Sequence, residues 1–273
     1  MRRTRMQTIL RLALLGVIGL QTMLAGAAIP RSPAEEAYYQ IEGNVFDRLA
    51  INNALAKLEQ ARRVNPRDPW VYMTASLAVL VSGYTIGDWY SPQTFIEGTI
   101  DKALDLAVKA VDADPQESQC HAHLARLRIL QGDYKAAWEV LAEAYKRNPN
   151  SFYLWYFRGI IAEKMRDAVK GKLYFDEAEQ RVAYKYQASL LNIHRQKLAK
   201  ISGDLAEQER LLKDNIAHSP DKPHFYGNYA HFLMSQERYD EAIQYWQKAI
   251  ELGPYLHALE QLEQTKRLQR SHR

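Results

Sequence analysis

A single cysteine, Cys120, is all the thiol that 273 residues contain. One thiol closes no internal disulfide, so a disulfide-stapled domain is excluded whatever the compartment. Glycine and proline are also sparse, at 13 and 10 residues, and no low-complexity tract occurs, which excludes collagen-like and loop-rich chains. No H-E-x-x-H, no G-x-S-x-G, no glycine-rich phosphate loop and no dinucleotide fingerprint is present, so none of these reaction classes has a motif here. An excess of charge is missing too. The formal net charge is +4, but Arg2, Arg3, Arg5 and Arg11 stand in residues 1–27 without an acid. Setting those four aside leaves 32 basic residues against 32 acidic ones. That balance gives no electrostatic case for nucleic-acid binding.

What is present begins at the N-terminus. The four arginines precede an apolar run from Leu12 to Leu20, and Ala25-Gly26-Ala27-Ala28 supplies small residues before Pro30. Basic start, short apolar centre and small-residue end read as a secretory signal peptide over 1–27, with a linker at 28–34. The alternative is an uncleaved inner-membrane anchor facing the periplasm, since Leu12 to Ile29 reaches the lower length limit for a span. Ala27 stands where a lipobox would carry its lipidated Cys, so a lipoprotein is not expected.

The rest of the chain repeats. Pro115 and Pro149 lie 34 residues apart, as do Pro220 and Pro254. Each follows an amphipathic stretch with small residues at matching offsets: Ala54, Ala61 and Pro66; Ala103, Ala110 and Pro115; Ala137, Ala144 and Pro149; Ala242, Ala249 and Pro254. Two worn units, marked by Ala178 and by Pro220, fill the interval between. Tyr239, Ala242, Ile243, Trp246, Ala249 and Ile250 make one apolar helical stripe, and Tyr134, Ala137, Trp138, Leu141, Ala144 and Tyr145 make another. Small residues on a stripe let antiparallel helices approach closely. Gln131-Gly132-Asp133 and Ser202-Gly203-Asp204 are turns within units, and Ser32-Pro33-Ala34-Glu35 is a capping box that opens the first helix. After Pro254, Leu256, Leu259 and Leu262 recur at helical spacing and predict a capping helix with a basic tail over 255–273.

A 34-residue period with Trp70-x2-Met73, Trp155-x2-Arg158-Gly159 and Tyr226-x2-Tyr229-Ala230 in the first half of the unit, and Ala-x3-apolar then Pro in the second, resembles the tetratricopeptide-repeat family. The resemblance covers residues 35–254. It implies an all-α, right-handed superhelical solenoid of about six helix pairs with a C-terminal capping helix. It further implies that the first helix of each unit lines a concave face holding a peptide or partner helix. Carried onto this sequence, that face includes Arg126, Tyr153, Tyr156 and Lys164, then His224, Asn228 and His231.

From Pro66 to Pro115 is 49 residues, an excess that falls at 82–98 and brings Tyr84, Trp89, Tyr90 and Phe95. Long loops are usually functional or disordered, and this one is too aromatic for disorder. Either its rings form a lip that meets a partner, or they pack on the solenoid itself. Cys120-His121-Ala122-His123 resembles a metal cluster only superficially, because neighbours on a helix diverge around its axis; no metal and no cofactor are expected. The repeats consume the chain after the leader and leave no room for a catalytic domain, so an enzyme is not expected. The function expected is a non-catalytic protein–protein scaffold of the bacterial cell envelope, periplasmic or secreted, with a protein or peptide partner, no nucleic acid, and membrane contact only through an uncleaved leader. The alternative is a glycan-binding or glycan-processing α-solenoid, motivated by the Tyr/Trp-rich loop.

Overall fold

The computed structural model describes residues 32–45, 47–85, 87–253 and 256–272. The leader at 1–27, the linker as far as residue 31, and Pro254 lie outside the described residues. Thirteen α-helices run through them. They are α1 (Pro33–Gly43), α2 (Arg48–Val64), α3 (Pro69–Gly83), α4 (Thr99–Ala113), α5 (Ser118–Leu130), α6 (Tyr134–Arg147) and α7 (Phe152–Lys164), then α8 (Ala168–Glu179), α9 (Lys185–Ser202), α10 (Leu205–His218), α11 (Pro223–Ser235), α12 (Tyr239–Leu252) and α13 (Leu256–Ser271). Among the described residues the only β-type pairing is an isolated antiparallel bridge between Tyr84 and Phe95.

The chain divides into two compact units. Unit 1 holds the described residues up to Ile161 together with Asp176–Ala188; unit 2 holds Ala162–Phe175 and the chain from Ser189 onward. In unit 1, α1 packs on α2 and α3, α3 on α4 and α5, α4 on α5, and α5 on α6. In unit 2, α10 packs on α11, α11 on α12, and α12 on α13.

Two kinds of corner recur. Between pairs, the first helix starts three residues after each proline, at Pro69, Ser118, Phe152 and Pro223. The residue before three of those prolines folds an Asx turn. Oδ1 of Asn65, Asp114 and Asn148 accepts from the backbone N–H two residues on, at 3.3, 2.9 and 3.0 Å. Proline therefore occupies the turn itself, where its missing N–H costs nothing. Within pairs, the corner needs one left-handed residue. Gly132 and Gly203 supply it at φ 78° and 75°, while Arg166 and Glu237 are forced to it at φ 60° and 58°. Asp133, Asp167 and Asp204 then cap the second helix, each accepting from a backbone N–H three residues on at 3.0 Å.

Ala54, Ala103, Ala110, Ala137, Ala144, Ala178, Ala242 and Ala249 are fully buried, and Ala61 is 6% exposed. A methyl at these positions lets facing backbones come close, and any longer side chain has nowhere to go. The second stripe is narrower than the sequence suggested. Ala137, Leu141 and Ala144 are buried, whereas Trp138 and Tyr145 stand on the outside, where the Arg158 guanidinium lies 5.1 Å from each ring. The cap is also rotated from its expected register. α13 buries Ala258, Leu262 and Thr265 but leaves Leu259 exposed, and the side chain of Leu256 lies outside the description. Ala258 and Leu262 cover Trp246 and Ala249 of α12, and the fully buried indole donates from Nε1 to Met234 Sδ at 3.3 Å.

Candidate binding groove

The first helices of unit 1 turn facing sides on one another. Arg126 of α5 is fully buried, its guanidinium donating to both carboxylate oxygens of Glu42 of α1 at 2.8 and 2.6 Å. Burial alone would favour the neutral form of Arg126, but Glu42 and the Tyr38 and Tyr90 phenols outweigh it and hold the group protonated. Its flat face lies 5.1 Å from the Phe157 ring and 5.8 Å from that of Tyr153. One turn earlier, Ser76 Oγ donates to the Ala103 carbonyl at 2.7 Å and meets His123 Nε2 at 2.8 Å. The proton of His123 therefore sits on Nε2, and Nδ1 accepts from the Tyr38 hydroxyl at 3.3 Å. Desolvation, then the Arg126 charge, press the His123 pKa well below its ordinary value, so the ring is neutral.

Tyr153 and Tyr156, expected on an open face, are buried in this packing; Tyr153 shares a 2.8 Å hydroxyl contact with Tyr186. Tyr39 stacks on Tyr184 at 4.9 Å, and Tyr184 on Tyr186 at 5.7 Å. Unit 1 has filled its inner side with its own aromatic rings.

The loop between α3 and α4 belongs to the same packing. Backbone bonds Thr85 N–H to Thr94 O and Ile96 N–H to Gly83 O, both 2.8 Å, clasp its base. Tyr90 and Phe95 are buried, and Tyr90 lies edge-on to Tyr156 and Phe157 with centroids 6.4 Å away. Tyr84 and Trp89 are half-buried against each other at 4.9 Å. The rings that motivated a glycan platform are occupied with one another, and nothing in their placement supports that reading.

Unit 2 carries a cleft of about 420 Å³ between α9, α10 and α11. Its floor is apolar, from Leu205 and Leu212 of α10 and Phe232 of α11. Its walls carry uncharged hydrogen-bonding groups: Gln196 of α9, Gln208 of α10, Asn228, His231 and Ser235 of α11, and Gln236 just beyond. Lys200 is the single charged side chain among the described lining residues. Volume and mixture suit a site in which an apolar base supplies affinity and a few polar groups fix orientation.

Local sequence fixes each wall. α9 is held to residues 162–175 by a buried His194–Glu163 contact at 2.5 Å and by Leu198 resting on Gly171, where a Cβ would meet its methyls at 2.7 and 2.8 Å. Glu209 of α10 ties the other side. It accepts from the Tyr229 hydroxyl at 2.6 Å and Arg238 at 2.9 Å, and pairs with Lys213 at 2.7 Å. Lys213 first, then Tyr229, draw the Glu209 pKa down to about 2. Gln196 Nε2 is shielded from solvent and has no hydrogen-bond acceptor among the described residues.

Residues 95–160 and 223–256 match the tetratricopeptide repeat. Those two stretches are tetratricopeptide repeats. The fold of the chain matches yeast Tom70 at a TM-score of 0.56 with 18% identity, covering 87% of this chain and 55% of that one. The chain thus spans just over half the length of Tom70. Pseudomonas aeruginosa PilF matches at 0.55 with 16% identity over 78% of this chain and 89% of that chain. A thermophilic tetratricopeptide-repeat protein of Thermus thermophilus matches at 0.55 with 18% identity over 74% of this chain and 99% of that chain. At these identities the likeness is one of fold. No curated protein matches the sequence. Tetratricopeptide repeats generally bind protein or peptide partners and are generally non-catalytic scaffolds.

In repeat terms, the cleft joins the first helices of the fifth and sixth pairs to the second helix of the fifth. Of the residues expected on the binding face, the structure brings together Asn228 and His231. His224 is exposed one turn earlier on α11 with its ring against Phe225, and Lys164 is half-buried at the end of α7. Sequence reading missed Gln196, Lys200, Gln208, Ser235 and Gln236. Gln196, Lys200 and Gln208 sit in the fifth pair, whose first helix departs from the repeat signature, and Ser235 and Gln236 stand at the end of the first helix of the sixth. The signal that could have found them is the cluster of uncharged amides at Gln196, Gln208, Asn228 and Gln236, unusual on faces otherwise rich in Lys and Glu.

Proposed function

We propose that this tetratricopeptide-repeat chain is an exported scaffold whose unit 2 cleft holds an extended segment of a partner protein. The observation that carries the reading is the amide-lined cleft itself. Side-chain amides carry both donors and acceptors, so Gln196, Gln208 and Asn228 suit the alternating N–H and C=O groups of an extended backbone. Leu205, Leu212 and Phe232 offer the apolar contact that one or two partner side chains would bury. With Lys200 the one charge and no carboxylate among the described lining residues, the cleft suits a neutral or mildly acidic segment better than a basic one. The extracytoplasmic part of the reading rests on the basic, apolar and small-residue succession of 1–27.

A photo-cross-linking residue placed at position 228 in the native cell tests the site, with a second at position 248, exposed on α12, as the control. Adducts to a defined protein from 228 and not from 248, lost in the Gln196→Ala/Gln208→Ala variant, are expected. Equal capture from both positions, or none from 228, contradicts the cleft as the binding site. N-terminal sequencing of the protein from its own cells checks export: a first residue beyond 27 is expected, and a chain still beginning at Met1 removes cleavage from the proposal.

A further inference from the structure

Where α13 packs over the last helix pair, two histidines meet. His231 of α11 and His257 of α13 are both exposed, and their Nε2 atoms stand 3.2 Å apart. Two imidazole nitrogens bound at 2.0–2.1 Å to one tetrahedral zinc ion are about 3.3 Å apart, so this separation is already that of a ligand pair. Both rings are braced by one indole. His231 is edge-on to Trp246 at 4.8 Å and 87°, and His257 is near-perpendicular to it at 6.1 Å and 85°. Trp246 is itself fully buried and anchored through Nε1 to Met234 Sδ, so the surface that orients the two imidazoles is rigid. Pre-set ligands bind a metal without the ordering cost that a floppy pair would incur.

We infer that His231 and His257 form a bidentate site for a divalent transition-metal ion of the zinc class, at the rim of the cleft. Imidazole nitrogen is a ligand that zinc, copper and nickel share, whereas calcium and magnesium prefer oxygen. Among the described residues no group of three or more His, Cys, Asp or Glu forms a larger ligand set. Two protein ligands leave the remaining coordination positions to solvent or to a donor from whatever lies in the cleft, which His231 also lines.

Zinc titration of the full, untagged chain by isothermal calorimetry at pH 7.5 tests the site. One equivalent is expected to bind. His231→Gln and His257→Gln should each weaken binding by at least about tenfold, the lower bound seen when a ligand loses even its supporting partner. His224→Gln, an exposed histidine on the same helix, should change nothing. His257 is exposed on the cap, so its variant keeps the test intact if His231→Gln disturbs folding; far-UV circular dichroism reports which variants are folded. Zinc binding that is absent in the parent chain, or undiminished in folded His257→Gln, overturns the assignment and leaves the pair as a hydrogen bond between two imidazoles.

Discussion

Replacing Glu42 by Leu should be among the most destabilising single changes in unit 1, and removing its partner as well should repair most of the damage. The pair is lopsided: the Arg126 side chain is fully buried, whereas that of Glu42 keeps 8% of its exposure. Glu42→Leu leaves a guanidinium that cannot neutralise itself stranded in the interior, at a cost of about 3–5 kcal/mol. The Phe157 and Tyr153 rings stay beside it and return at most about 2 kcal/mol. Arg126→Met should cost less, because a carboxyl near the edge can reorient toward water or take up a proton. In the double variant both desolvation penalties disappear and two apolar chains of similar volume fill the space. It should therefore lie within about 1 kcal/mol of the parent, since buried ion pairs are commonly replaceable by hydrophobic residues. Urea unfolding followed by tryptophan fluorescence reads this unit well, because Trp70, Trp89, Trp138 and Trp155 belong to it and only Trp246 to the other. Glu42→Leu costing under about 1 kcal/mol, or a double variant as weak as the sum of the singles, refutes the reasoning.

Acid should weaken unit 1 through His123. Its native pKa lies below the ordinary 6.5, so below that pH the unfolded chain takes up a proton that the native chain does not. Stability is then complete above pH 6.5 and falls as pH drops, by up to about 1.4 kcal/mol per unit, a slope that His123→Gln should remove when unfolding is compared at pH 6.5 and 5.5. Arg166→Gly and Glu237→Gly should each raise stability by about 0.5–1 kcal/mol. Relief of the left-handed strain, about 1–2 kcal/mol, exceeds the added flexibility of the unfolded chain, and calorimetric melting would show the sign. Ala249→Leu should overpack the α12–α13 contact and cost about 1–3 kcal/mol, while Ala206→Leu, exposed on α10, should leave the melting temperature nearly unchanged.

The helix pairs were legible because their information is local. Proline-marked turns, Gly-Asp corners and buried alanines each depend on a few neighbouring residues, and the 34-residue spacing repeats them in phase. The face available for binding was not legible. Arg126, Tyr153 and Tyr156 occupy positions that point to a ligand in an open repeat array, and only their tertiary partners Glu42, Tyr90 and Tyr186 reveal that the space is taken. Those partners come from 84, 66 and 33 residues away in sequence, beyond any periodic pattern. The fifth pair hid for the opposite reason. Gln187 is buried yet satisfied by the Ala183 and Tyr184 N–H groups, and His194 by Glu163, so polar residues stand where the stripe calls for apolar ones. The amides of the cleft went unnoticed with them. Trp138 and Tyr145 show a further ambiguity: helical spacing puts them on the stripe, but arginine stacking holds them outside it.

The placement of α1 changes what unit 1 can bind. Any segment arriving at that side meets a tethered competitor, carrying Tyr38 and Glu42, joined to α2 by only four residues. A short tether holds its group at an effective concentration in the millimolar range, so a free ligand of equal intrinsic strength loses unless it is present at millimolar levels itself.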